Sequence, residues 1–295
     1  MKKAFVINLK SVEYTGDAIG NDIFLEIGIG GIFSKYDKKI KHSTRAEINR
    51  EIGYFETEKT SVELPISIQI TEDDILFDDI GDTKGLMEID LSLPLPQEKI
   101  LEVKVNERRS IAGKRTGIFR VFIEAAPAIR YTEDVDGRGW LRVKPDDEGE
   151  EFSIPIYLKV RYDAVYRGRE YFVILEGVKK DVKALVSVKP DGTSRFSKIN
   201  VHGKPVNLIY SLSKKTLKYG RKKYKTADYP DAPWTKGVYD IALPDYPHEL
   251  GLRYAEESSH ATTWFRINHP DGDRYVHTGG VSRGCITIIE KERWS

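Results

Sequence analysis

Short stretches in which apolar and polar residues alternate, or in which β-branched residues cluster, recur along most of the chain. They cover Ala4 to Val12, Asp22 to Ile29, Val62 to Ile70, Leu86 to Leu93, Ile100 to Val105, Ile118 to Ile123, Phe152 to Tyr162 and Glu170 to Leu175. Alternation with a period of two places one set of side chains on a buried face and the other in water. Clusters of Gly, Pro, Asp and Asn separate the runs, a pattern that predicts an antiparallel sandwich or barrel. Helical periodicity is scarce, and Thr44 to Tyr54 alone is expected to form one short helix. The fold class expected is therefore mainly β.

At 295 residues the chain exceeds the usual size of a single core, so more than one domain is expected. The turn Pro190-Asp191-Gly192 marks the proposed boundary, giving regions 1–130, 131–190 and 191–295. The middle region reads either as an extension of the first sandwich or as a β-rich module of its own. Lys+Arg 47 against Asp+Glu 46 leaves a formal net charge of +1, which gives no general argument for binding nucleic acid or a membrane. One local exception is the basic stretch Lys214 to Lys225, read first as a solvated hairpin turning at Gly220 and otherwise as a surface attracted to anionic polymers or headgroups. A single cysteine excludes an intrachain disulfide framework and leaves the redox compartment open. The apolar run after Met1 is too short for the core of a secretory leader and reads as a first strand.

Candidate chemistry concentrates near the C-terminus. In Tyr275-Val-His-Thr-Gly-Gly-Val-Ser-Arg-Gly-Cys-Ile-Thr287 the only cysteine, Cys285, lies eight positions after His277. An imidazole that can take the thiol proton makes a sulfur nucleophile, and a glycine beside it lets a carbonyl approach the backbone. His260 and His269 precede this segment, but no compact metal-ligand pair accompanies them, and no metal or cofactor is expected.

The string H-x-G-x-x-S-x-G-C-I resembles the signature of the L,D-transpeptidase (YkuD-like) family. The resemblance extends upstream through Ile199-Asn200-Val201, Val206 to Tyr210, Ala232 to Ile241 and Trp264 to Ile267, about the last third of the chain. It implies a β-rich catalytic domain in which Cys285 is the nucleophile, His277 the base and Thr278 the group that orients His277. Ser282, Arg283 and Gly284 would shape the loop and oxyanion hole. Trp234, Tyr239 and Trp264 would line a substrate groove, or equally belong to the core. Thr287 stands where the family commonly carries Arg or Asn. The implied activity is cleavage of a peptidoglycan tetrapeptide stem before D-Ala through a thioester, with transfer to an amine. Water as acceptor would make the same fold a carboxypeptidase or endopeptidase, and delivery into a target envelope would make it a wall-damaging effector. A non-catalytic membrane- or wall-binding adaptor is the alternative from a different class. The target would lie in the periplasm or cell envelope, with no signal peptide visible in this sequence.

Near the N-terminus, Gly16 to Ile27 and Ile68 to Gly81 resemble the acidic loops of C2 domains. The resemblance implies an antiparallel sandwich with Asp17, Asp22, Glu72, Asp74 and Asp78 as possible calcium ligands, since hard carboxylate oxygens suit Ca²⁺. Acidic loops kept apart by solvent are the other reading. Contact with a membrane or a protein is the partner expectation for this region, and nucleic acid is not expected.

Overall fold

The computed structural model describes residues 3–73, 78–107, 115–134, 137–198, 206–227 and 229–294. The chain divides into two units, Met1–Ala128 and Ile129–Ser295. The region 131–190 falls in the second unit together with 191–295. Strands dominate both, and no helix among the described residues is long and apolar enough to cross a membrane.

The first unit contains β1 (Lys3–Gly16), β2 (Asp22–Ile29), β3 (Ile32–Lys39), β4 (Thr44–Thr57), β5 (Ser61–Glu72), β6 (Asp79–Asp90), β7 (Gln97–Asn106) and most of β8 (Thr116–Thr132). They form two antiparallel sheets, ordered β4-β1-β8-β7 and β3-β2-β5-β6. Alternate residues meet in one core that includes Phe5, Ile7, Tyr14, Ile27, Ile68 and Phe119, all almost fully buried. The mainly-β sandwich expected from the alternation is what the chain builds.

The expected helix at Thr44 to Tyr54 is instead strand β4, paired with β1 from Lys3↔Thr57 to Tyr14↔Thr44. Its Glu and Arg residues suit a helix, but the free edge of β1 presents unpaired N–H and C=O groups that only another strand satisfies. Two bulges absorb the mismatch, and Asn49 takes a positive φ of 50°.

The second unit begins with β9 (Trp140–Pro145), β10 (Phe152–Pro155), β11 (Lys159–Tyr166), β12 (Arg169–Ile174), β13 (Lys183–Ser187) and β14 (Phe196–Ser197). The run expected as one strand, Phe152 to Tyr162, breaks between β10 and β11, where Tyr157 adopts a φ of 62°. Buried Glu170 is satisfied by the Tyr162 hydroxyl, the Ser194 hydroxyl and the Arg195 N–H.

A six-stranded sheet follows, built from β15 (Leu208–Ser211), β16 (Thr216–Tyr219), β17 (Lys222–Ala227), β18 (Phe265–His269), β19 (Gly272–Thr278) and β20 (Ile286–Ile288) in the order β15-β16-β17-β20-β19-β18. Its pairing is antiparallel except between β19 and β20, which run parallel with Val276↔Ile286 and His277↔Thr287. Leu217, Tyr224, Ile267, Val276, Ile286 and Ile288 form its core.

Candidate functional site

Alternation along β19 decides where the histidine goes. Val276 enters the core, so His277 lies on the other side of the sheet, opposite Thr287 of the parallel neighbour. Its Nδ1 lies 2.9 Å from the Thr278 carbonyl oxygen. A carbonyl only accepts, so Nδ1 carries the proton and Nε2 is the acceptor nitrogen. The Thr287 hydroxyl donates to that Nε2 over 3.1 Å. Thr278 thus orients the ring through its backbone, while its own hydroxyl donates to the Ile288 carbonyl.

A stack of rings covers the imidazole. Trp264 lies 3.9 Å from His277 at an interplanar angle of 15°, and His248 lies 4.4 Å beyond Trp264 at 6°. Tyr246 continues the stack 4.3 Å from His248. The Asp245 carboxylate ties the far end together, 3.0 Å from His248 Nε2 and accepting the Tyr275 hydroxyl over 3.4 Å. Burial is the main reason that His277 is lowered to about 4; the Thr278 carbonyl opposes this and nearby His248 adds to it. Burial first, and then Asp245, push Tyr275 up to about 12.

Cys285 immediately precedes β20 and is partly exposed. Burial raises its thiol above the ordinary cysteine range, while the Tyr275 N–H and the Arg274 guanidinium pull in the opposite direction. The sulfur therefore sits beside Tyr275, two residues along β19 from His277 and not hydrogen-bonded to its ring, and at neutral pH thiol and imidazole are both uncharged. Resting Cys285 is a thiol rather than the thiolate of an ion pair.

The loop between the strands closes on itself. Ser282 Oγ donates to the Cys285 carbonyl over 2.7 Å and accepts the Gly284 N–H over 3.3 Å. Gly284 has a φ of +100°, and a Cβ there would lie 3.2 Å from the Ala232 Cβ, so this turn needs glycine. The expected oxyanion hole loses a donor by this closure, because the Gly284 N–H is already engaged by Ser282. The Arg283 side chain is exposed.

The three aromatic residues expected to share a groove are divided. Trp264 stacks on His277, whereas Trp234 and Tyr239 line a cleft of about 600 Å³ with Leu208, Leu217, Val276 and Ile286. Val276 and Ile286 are core-facing, so this cleft opens on the side of the sheet away from His277. His260 and His269 also lie apart from the pair: His260 Nε2 is 3.2 Å from Asp134, and His269 packs between Trp234 and Tyr239.

The acidic residues of the first unit are committed separately. Asp17 accepts the Thr116 N–H, Asp22 pairs with Lys39 at 3.2 Å, Glu72 is buried and Asp78 is exposed. Asp74 lies outside the described residues, as do Ile199-Asn200-Val201. Among the described residues no group of three or more His, Cys, Asp or Glu could hold a metal ion.

Nothing in the local sequence marks Arg274, Asp245, His248 and Tyr275, or Thr287 as a hydrogen-bond partner of His277, as part of this site. Asp245-Tyr-Pro-His248 reads as an ordinary turn until the fold brings it over Trp264.

Comparisons with known proteins return no matching family model and no matching curated protein. Among solved structures, a C2 domain of plant extended synaptotagmin 1 aligns at 14% identity and a TM-score of 0.24, over 42% of this chain and 92% of that one. Human GIVD cytosolic phospholipase A2 aligns at 13% identity and a TM-score of 0.23, over 63% of this chain and 30% of that one. These are distant likenesses between β-rich folds, with a C2 domain among them, and they carry no argument about activity.

Proposed function

We propose that the C-terminal part of the chain is a cysteine acyl-transferase of the L,D-transpeptidase type, acting on peptidoglycan stem peptides. One observation carries the reading: Nδ1 of His277 is fixed by the Thr278 carbonyl, so Nε2, which accepts the Thr287 hydroxyl in the resting state, is the acceptor nitrogen, two residues along β19 from the position beside which Cys285 lies. A neutral thiol and a neutral imidazole suit general-base catalysis, in which the proton leaves sulfur as the new bond forms.

In the proposed reaction Cys285 Sγ attacks the carbonyl carbon of the bond before the terminal D-Ala, and the thiol proton passes to His277 Nε2. The C–N bond then breaks as His277 returns that proton to the departing amine, leaving a thioester. An incoming amine attacks the thioester and gives its proton to His277, and the sulfur leaves and is reprotonated. Water in place of the amine gives hydrolysis by the same steps. The backbone N–H of Cys285 is the nearest candidate donor to the oxyanion, since that of Gly284 is engaged by Ser282.

The non-catalytic reading has a specific observation in its favour, the occupation of Nε2 by Thr287 beside a raised thiol. Incubation with purified muropeptides separates the two. The enzyme removes D-Ala or forms a cross-linked product by mass spectrometry, and Cys285→Ala and His277→Ala do neither while retaining the parent circular-dichroism spectrum. Unchanged muropeptides, together with no mass increment from a carbapenem, would leave the adaptor reading in place.

A further inference from the structure

The strand pair β16–β17 places like charges directly opposite each other. Leu217↔Tyr224 is a buried cross-strand pair, so the neighbouring pair Lys218↔Lys223 faces out on the other side of the hairpin, and Lys225 follows on the same side opposite Thr216. Like charges directly opposite destabilise a strand pair, whereas Glu at either position would stabilise it. The same excess extends along the segment. Between Val206 and Ala227 there are seven Lys and Arg and no Asp or Glu, so a chain of net charge +1 carries +7 here and −6 elsewhere (+1 − 7). The carboxylate closest by hydrogen bonding, Glu290, is occupied by the Lys225 backbone N–H and by Arg293. Among the described residues Lys218, Arg221, Lys222 and Lys223 form no ion pair.

We infer that the outer face of this hairpin binds an extended phosphate-rich polymer, read by charge alone. The face offers no stacking platform: Tyr224 lies in the core, and Tyr219, opposite Lys222, belongs to the other side of the ribbon. Single-stranded nucleic acid binding draws on aromatic stacking as well as charge, so its bases find nothing here. A chain of phosphates needs only cations at regular intervals, and residues two apart on a strand supply them about 7 Å apart. The opposed lysines then exchange mutual repulsion for shared counter-charges, which makes binding strongly dependent on salt. The inference does not involve Cys285 and stands or falls independently of the acyl-transfer reading.

Inorganic polyphosphate is the probe, titrated by fluorescence anisotropy at several salt concentrations against the whole chain. The Lys218→Gln/Lys223→Gln/Lys225→Gln variant is expected to bind at least tenfold more weakly, with the slope of log K against log salt reduced by about 2, and Cys285→Ala to bind like the parent. Lys223→Glu supplies the second reading: it should weaken binding while raising the melting temperature, because it turns the repulsive pair into an attractive one. Equal affinity in the triple variant, or no binding at low salt, overturns the proposal. So does tighter binding of a single-stranded oligonucleotide of equal charge, or binding confined to vesicles of anionic phospholipid, since these assign the face to nucleic acid or to a lipid surface.

Discussion

His277 is held neutral chiefly by burial, and that has a cost visible in stability. Its folded value of about 4 lies below the ordinary 6.5, so between these two pH values the unfolded chain takes up a proton that the native chain refuses. Stability is therefore intact above about pH 6.5 and is lost as the pH falls toward 4, by at most roughly 3 kcal/mol from this group. Denaturation midpoints measured across that window should fall less steeply in His277→Gln than in the parent. Thr287 holds the same ring from the other side, because its hydroxyl occupies the nitrogen that would accept the thiol proton in the proposed reaction. Thr287→Val should free Nε2 and raise the rate of Cys285 alkylation at neutral pH several-fold. A fall in rate would instead make the hydroxyl a proton relay.

At the scale of elements, the parallel pair β19–β20 and its loop carry the site, and their geometry leaves little tolerance. Gly284→Ala forces an L residue into a φ of +100° with its Cβ 3.2 Å from Ala232, an expected destabilisation of about 1–3 kcal/mol that chemical denaturation would measure. In the first unit, Tyr14 is fully buried and its hydroxyl accepts the Ile19 N–H over 2.6 Å while donating to the Asp17 carbonyl. Tyr14→Phe strands that N–H away from water, at a cost of about 1–3 kcal/mol in the same assay. Strands such as β2 and β5 were legible in the sequence because alternation alone places their side chains. β4 was not, because its residues favour a helix locally and only the open edge of β1 makes a strand the better choice. The Cys285 and His277 proposed as nucleophile and base were legible only as a motif, eight residues apart along the chain. The Asp245–His248–Trp264 array was not, since it meets His277 only after β18 and β19 have paired.

For the molecule as a whole, a net charge of +1 conceals a separation of charge, with +7 gathered between Val206 and Ala227. A field of that kind acts locally, so the protein should be retained by a phosphate-bearing cation exchanger at pH 7 and low salt despite its near-neutral total. The triple lysine variant should elute at clearly lower salt. The sequence by itself determined the mainly-β character, the location of the Cys–His motif and the basic segment, because each depends on residues close together along the chain. Tertiary structure decided which faces those residues occupy. It set Trp264 over His277 but Trp234 and Tyr239 on the opposite side of the sheet, engaged Gly284 with Ser282, and buried the His277 imidazole while leaving Cys285 partly exposed. Strand register and burial arise from pairing between distant segments, and no local pattern encodes them.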